Sequence, residues 1–316
     1  MDAQAMNFGM GTVMAHRAFG RHAEEALRAV RREAKRLEQL LSRFIPRSDI
    51  SRVNRSAGIR SERVSDDTYE VLSNAVEFSR NFGLFDVTVG PLVALWNNAE
   101  KTCRLPEDSD IIRVLPLVDY TDLLLDPSSR TVGLTRVGQS IDLGGIGKGY
   151  AGDKFVEVFR NHGVSSAYTN LGGNVVVMGT KPDGSPWCVG IQHPRQEDGL
   201  IGLVSVVDKA VVTSGDYRRN FVGSDGKMYH HILDPSTGYP AESGLVSATV
   251  VANSSMAADA LSTMLFVAGL DKGVELLESF PGTEAVLIDT DLAVHVTRGL
   301  EDCFQAGQGI RVSVLS

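Results

Sequence analysis

Five segments of this chain carry residue types whose spacing can do chemistry. In Ala258–Thr263 (ADALST), Asp259 and Thr263 stand four apart on an expected helix and share one of its faces. A carboxylate, a hydroxyl and a backbone carbonyl form a hard oxygen set that suits Mg²⁺ or Ca²⁺ and not zinc. The structural alternative is Asp259 as partner to a helix N-terminus, with Thr263 bonding back to its own helix. In Ile141–Asp153 (IDLGGIGKGYAGD), Gly144 and Gly145 allow close backbone approach. The helix start beyond them presents N–H groups to a phosphate, and Lys148 adds a point charge. Gly147, Gly149 and Gly152 match a bare GxGxxG pattern, but no acidic residue follows at the distance a ribose requires. Lys148 is followed by Gly149 rather than Ser or Thr, which excludes a Walker A loop. In Tyr229–Pro240 (YHHILDPSTGYP), His230 and His231 point to opposite faces of an extended chain, so one can serve a site while the other packs. Asp86 in Phe85–Trp96 (FDVTVGPLVALW) reads as a ligand contact or a turn former. Asn170–Asn174 (NLGGN) reads as a bulge or a close ligand approach.

The elements that must position these residues follow from apolar periodicity. Leu27, Val30, Ala34, Leu37, Leu41 and Phe44 predict an amphipathic helix over 20–44, stopped by Pro46. Further helices are expected over 66–82, capped by Asp66 or Asp67, over 147–162, over 255–268 ending at Gly269, and from Asp271 to Phe280. Strands are expected at 118–125, 131–134, 139–143, 167–170, 174–178, 188–192, 203–207, 210–213, 245–251, 285–288 and 293–296. Lys181–Pro186 (KPDGSP) reads as a hairpin turn, and Asn97–Asp110 as a polar exposed loop. Consecutive strands with separately grouped helices predict an α+β fold of antiparallel sheets. It is read as one domain over 1–316, or as two intertwined α/β subdomains.

The chain has 316 residues, with 31 Lys+Arg against 39 Asp+Glu, a net charge of −8. That balance argues against a broad nucleic-acid surface and against docking on anionic lipid. An anionic ligand would need a bound cation or a nest of backbone N–H groups to hold it. Cys103, Cys188 and Cys303 are scattered and include no CxxC pair, so a structural zinc site is not expected. Reduced thiols, with no apolar signal region or lipidation Cys near Met1, lead to the expectation of a cytoplasmic protein. No apolar run reaches the length of a membrane span.

Taken in register, MGT at Met10, SRF followed by SDISRVN, FDVTVGPLVALW, DLGGIGKGYAGD, NLGGN, TSGDYRR, YHHILDPSTGYP and ADALSTMLFVAG resemble the ApbE family of FAD:protein FMN transferases. The resemblance runs from about Met10 to Gly269. It implies a T-fold-like arrangement of antiparallel sheets and helices with an FAD cleft at its centre. It also implies FAD as substrate, Mg²⁺ as cofactor, and transfer of FMN to a Thr or Ser hydroxyl of an acceptor flavoprotein bearing a short flavinylation motif, with release of AMP. By the same resemblance Asp259, Thr263 and the Gly145 carbonyl are metal ligands. Met10, Phe44, Leu84, Phe85, Asp86, Asp142, Lys148 and Ile232 line FAD, and His231 is the catalytic base. Gly147 stands where the family often has Ala, and Asn174 where it often has Asp. An FAD pyrophosphatase using water, or a non-catalytic flavin carrier, are the alternatives to a transferase.

Overall fold

A computed structural model describes residues 2–80 and 82–315. Along the chain, β1 (Asp2–Gly9) and β2 (Thr12–Phe19) precede α1 (Ala23–Leu41), α2 (Asp49–Arg55), β3 (Glu62–Arg63) and α3 (Asp66–Arg80). Next come α4 (Gly90–Thr102), α5 (Asp108–Val114), β4 (Leu123–Asp126), β5 (Thr131–Leu134) and α6 (Gly147–Asn161). Then follow β6 (Ser166–Leu171), β7 (Asn174–Met178), β8 (Trp187–Gln192), β9 (Leu200–Val206), β10 (Ala210–Gly215), β11 (Asn220–Val222) and β12 (Met228–His230). The last are β13 (Leu245–Ala252), α7 (Ser255–Glu278), β14 (Glu284–Asp289), β15 (Val294–Thr297), β16 (Phe304–Ala306) and β17 (Val312–Leu315). The chain forms two compact units: one from 1–36, 146–215 and 243–316, the other from 37–145 and 216–242.

The first unit is built on a nine-stranded sheet of order β1-β2-β6-β7-β10-β13-β14-β15-β17. Its pairs are antiparallel except β15 with β17. β7 and β13 are buried along their whole length. Their near-continuous apolar sequences, NVVVM and LVSATVVA, follow from having both faces covered. One face packs against the three-stranded sheet β16-β9-β8 through Val175, Val177, Val189, Ile191, Val204 and Val211, among others. The opposite face carries α6 and α7. Gly269, at φ 78° and ψ −174°, breaks α7, so the expected helix ending at Gly269 and the one following it are both present.

The second unit holds α2 to α5, the sheet β3-β5-β4 and the hairpin β11-β12. Its core gathers Leu92, Trp96, Ala99, Ile111 and Leu233.

Several expectations change. Residues 90–102 and 108–114 are helices rather than the polar loop read over 97–110. Pro91 sits in the first turn of α4, where its missing N–H costs nothing. Of the strand expected over 118–125 only the end forms, as β4 (Leu123–Asp126), because a single 3₁₀ turn occupies 120–122 and another, 115–117, precedes the segment. Over 139–143 only the isolated bridge of Ser140 to Val89 forms. The turn in Lys181–Pro186 exists, with Gly184 at φ 82°, but β7 and β8 on either side of it lie in different sheets. Ser65 rather than Asp66 or Asp67 caps α3, its Oγ accepting the Thr68 N–H at 3.2 Å. The helix expected to reach 82 is described as far as Arg80, since Asn81 lies outside the described residues. Among the described residues no helix is long and apolar enough to cross a membrane.

Candidate active site

In the first unit, two glycines bring α6 and α7 close enough for their ends to share groups. A Cβ on Gly149 would lie 2.6 Å from Asp259 Cβ and 2.7 Å from Met256 Cα. A Cβ on Gly152 would meet Ser255 Oγ at 2.7 Å and Val176 Cγ2 at 2.9 Å. The GxGxxG spacing read from the sequence is therefore helix–helix packing, with Gly149 and Gly152 on one face of α6. Asp153 locks the same junction from the other direction. Its carboxylate accepts the Ser255 N–H at 2.7 Å, the Met256 N–H at 3.0 Å and the Ser254 hydroxyl at 2.7 Å. That satisfies donors at the α7 N-terminus. Burial pushes the Asp153 pKa up, against the pull of those hydrogen bonds.

Asp259 lies at this junction and is 4% exposed. Its Oδ2 accepts the Gly149 N–H at 2.8 Å, one of the donors that the first turn of α6 leaves without a helical partner. Its Oδ1 is 3.8 Å from Lys148 Nζ. Thr263 Oγ1 donates to the Asp259 carbonyl at 3.4 Å and lies 3.4 Å from Ser214 Oγ on β10, which in turn is 2.9 Å from Ser262 Oγ. Lys148, Asp259 and Thr263 are thus brought together, at the positive end of a helix. The structural alternative read from the sequence is present in the same geometry, since Asp259 does partner a helix N-terminus and Thr263 does bond back to its helix. Ser214, within TSGDYRR, is a neighbour that sequence reasoning missed.

Met10 occupies the turn of the β1–β2 hairpin. Met10 and Gly11 have φ 49° and 76°, and Gly9 pairs with Thr12, so this is a two-residue turn of type I′ sign. Met at a left-handed position costs about 1–2 kcal/mol relative to an ordinary backbone conformation. Beside it, Gly172 and Gly173 (φ 62° and 103°) form the equivalent turn between β6 and β7, closed by Gly173 N–H to Asn170 Oδ1 at 2.7 Å. A Cβ on Gly172 would meet Thr12 Cβ at 2.8 Å. NLGGN is a hairpin turn whose glycines make room for the neighbouring turn.

In the second unit, the motif residues of SDISRVN prove to be supports. Asp49 accepts the Ser65 N–H, the Thr68 hydroxyl and Arg52, at 2.8, 2.8 and 2.6 Å. Asn54 grips the Ile141 backbone on both sides, accepting its N–H at 2.7 Å and donating to its carbonyl at 3.0 Å. That fixes the next residue, Asp142, whose Oδ1 accepts the Gly144 N–H at 2.7 Å. Arg43 Nε is 2.8 Å from Asp142 Oδ2. Gly145 follows directly and is half-buried. Phe44 is 79% exposed, with the Arg43 guanidinium 4.6 Å from its ring centroid. Arg43 and Asn54 lie within the SRF and SDISRVN motifs, but their residue types gave the sequence no reason to assign either a role.

Leu84 and Phe85 lead into Asp86, which the structure shows as a turn former. Its Oδ1 accepts the Thr88 N–H and hydroxyl at 2.7 and 2.6 Å, and its Oδ2 accepts the Tyr120 N–H at 2.9 Å. Burial raises its pKa, more strongly than these bonds lower it. Downstream in the same segment, Trp96 Nε1 donates to the Gly238 carbonyl at 2.8 Å and holds the DPSTG turn. That turn follows Ile232, which is buried, and His231, which is exposed. His231 Nδ1 lies 3.2 Å from the Arg219 carbonyl. A carbonyl only accepts, so Nδ1 carries the proton and the neutral ring keeps its lone pair on Nε2. His230 is the packed member of the pair: its Nε2 meets the Ala241 carbonyl at 3.0 Å, and burial lowers its pKa. A cavity of about 530 Å³ in this unit, lined by Asn98, Arg104 and Asp110 among others, includes none of the expected site residues.

The ApbE family model matches residues 10–287. The chain belongs to the ApbE family. A relative from Treponema pallidum (strain Nichols), named FAD:protein FMN transferase, is 35% identical over 282 residues, 84% of this chain and 77% of the relative. The ApbE protein crystal structure from Thermotoga maritima superposes with a TM-score of 0.88 at 32% identity, covering 96% of this chain and 99% of that one. The apo Pseudomonas stutzeri flavinyl transferase ApbE gives a TM-score of 0.85 at 30% identity, covering 97% and 98%. These bear out the α+β fold expected for an ApbE chain. Among the described residues of this ApbE family member no group of three His, Cys, Asp or Glu side chains is arranged for a metal. The oxygen set expected here draws on a hydroxyl and a carbonyl instead.

Proposed function

We propose that the chain transfers FMN from FAD to a Thr or Ser hydroxyl of an acceptor flavoprotein, releasing AMP. The observation that carries this reading is the cluster at the start of α6. A buried carboxylate (Asp259), an ammonium (Lys148), a hydroxyl (Thr263) and helix N-terminal amides are gathered in one place. A pyrophosphate and its cation require that combination. The names of the relatives, FAD:protein FMN transferase and flavinyl transferase, support the same reaction.

The donor set fits a hard divalent cation. Asp259 and Thr263 offer oxygens from one helix face, and the Gly145 carbonyl is the third protein ligand in this reading. When bound, Mg²⁺ supplies charge neutralisation and orientation of the pyrophosphate oxygens. Lys148 adds a positive charge for the phosphates. Met10, Phe44, Leu84, Phe85, Asp142 and Ile232 belong to the FAD contacts. Asp86 supports the turn beside them, its carboxylate oxygens already engaged by Thr88 and Tyr120.

His231 takes the acceptor hydroxyl's proton on Nε2, because Nδ1 already donates to the Arg219 carbonyl. The hydroxyl oxygen forms a bond to the FMN phosphorus, the bond from that phosphorus to the AMP oxygen breaks, and AMP leaves with the electron pair. The test follows AMP from FAD and Mg²⁺ with and without an acceptor protein. Release that depends on acceptor supports transfer. Release at the same rate in its absence identifies a pyrophosphatase, and no FAD turnover in either case refutes both.

A further inference from the structure

The exposed Phe44 ring is held from behind, and the residue that holds it also holds Asp142. Phe44 sits in the connection between α1 and α2, 79% exposed. An exposed ring on a loop ordinarily samples several rotamers. Here the Arg43 guanidinium covers one face at 4.6 Å from the centroid. The same guanidinium reaches Asp142 Oδ2 through Nε at 2.8 Å, and both side chains of that ion pair are well shielded, at 19% and 13% exposure. Asp142 is fixed in turn by the Gly144 N–H on Oδ1 and by its own N–H to the Val87 carbonyl at 2.9 Å. Asn54 secures the preceding residue. The chain of contacts runs from a rigid backbone segment, through a carboxylate and a planar cation, to an aromatic ring with its outer face presented to solvent.

We infer that Arg43 is a positioning residue for dinucleotide recognition. It fixes the Phe44 ring as a platform on which a planar heterocycle of FAD stacks. The inference rests on the reading of the chain as an FAD-using enzyme. Guanidinium planes pack against aromatic faces and make directed bonds to carboxylates at once, which an ammonium does not do. The heterocycle is the isoalloxazine or the adenine, and the two halves of FAD distinguish them.

The experiment titrates FAD, FMN and AMP, with Mg²⁺ present, into wild type, Arg43→Ala, Arg43→Lys, Phe44→Ala and the double Ala variant. Binding is read by flavin fluorescence or by calorimetry, with thermal midpoints as a folding control. Arg43→Ala is expected to weaken FAD binding on the order of tenfold. The double variant is expected to bind no more weakly than Phe44→Ala alone, because Arg43 acts through the ring. Arg43→Lys should lose affinity much as Arg43→Ala does, because an ammonium that keeps the charge beside Asp142 does not hold the ring face. Whichever of FMN or AMP loses affinity in Arg43→Ala is the half that stacks. Wild-type affinity in Arg43→Ala, or losses that add fully in the double variant, overturn the inference. If wild type binds no FAD, the functional reading fails and the inference falls with it.

Discussion

Replacing Gly149 by Ala tests how the site is assembled, and the structure sets the size of the effect. The new methyl would lie 2.6 Å from Asp259 Cβ and 2.7 Å from Met256 Cα, and closer still to the Ser255 carbonyl oxygen. Two of those neighbours belong to the α7 backbone, so no side-chain rotation relieves the clash and the helices must part. Overpacking of this kind costs about 1–3 kcal/mol. Separation also stretches the 2.8 Å bond from Gly149 N–H to the buried Asp259 carboxylate. A hydrogen bond to a charged group contributes about 1.5–3 kcal/mol. The better helix propensity of Ala offsets about 1 kcal/mol of this. The net expectation is a loss of about 2–4 kcal/mol, a thermal midpoint lower by roughly 3–6 °C for a chain of this length. FAD binding in Mg²⁺ should weaken as well, since Asp259 and Lys148 move apart. The assay is urea and thermal unfolding of both proteins, followed by FAD titration. Wild-type stability together with wild-type FAD affinity would refute the close α6–α7 junction as the scaffold of the site.

Met10→Asn should relieve a left-handed Met and raise stability by about 1 kcal/mol while weakening FAD binding; unchanged binding in a titration would remove Met10 from the ligand contacts. His16 is buried, with Nδ1 2.6 Å from Thr169 Oγ1 and Nε2 3.1 Å from Asn7 Oδ1, and burial lowers its pKa to about 4. Its depressed pKa means that the unfolded chain binds the proton more readily. It therefore contributes stability above pH 6.5 that is lost as pH falls toward 4, about 3 kcal/mol across the window. Urea unfolding from pH 7 to pH 4 should show that slope in wild type and a shallower one in His16→Gln. His231→Ala should slow FMN transfer by about 10²–10⁴-fold and leave FAD affinity near wild type, whereas lost affinity would make His231 a ligand contact.

The long helices were legible because their apolar residues recur at helical spacing. Leu27, Val30, Ala34, Leu37 and Leu41 of α1 are all buried. The interior strands were legible for a complementary reason: β7 and β13 are covered on both faces and read as unbroken apolar runs. α4 escaped because it starts at Gly90-Pro91 and ends in polar residues, which together imitate a loop. β1 and β2 escaped because their turn uses Met10, not an Asn or Asp, at a left-handed position. In the candidate site, single residues were visible through their types, but their partners were not. Nothing in the order of the chain joins Gly149 to Asp259, Asn54 to Ile141 or Arg43 to Asp142, because folding alone brings each pair together. The glycines of GKGYAG gave only a bare GxGxxG match for the same reason, since the helix that needs the missing side chains of Gly149 and Gly152 is distant in sequence.

The central claim is that a protein hydroxyl receives FMN from FAD at this site. Its most direct test is intact mass analysis of an acceptor flavoprotein after incubation with the enzyme, FAD and Mg²⁺, followed by fragmentation to locate the modification. The account predicts one FMN-sized addition on a Thr or Ser, lost when the metal is chelated and lost with Asp259→Ala. An unmodified acceptor while FAD is consumed, or an addition that persists in Asp259→Ala, would contradict it.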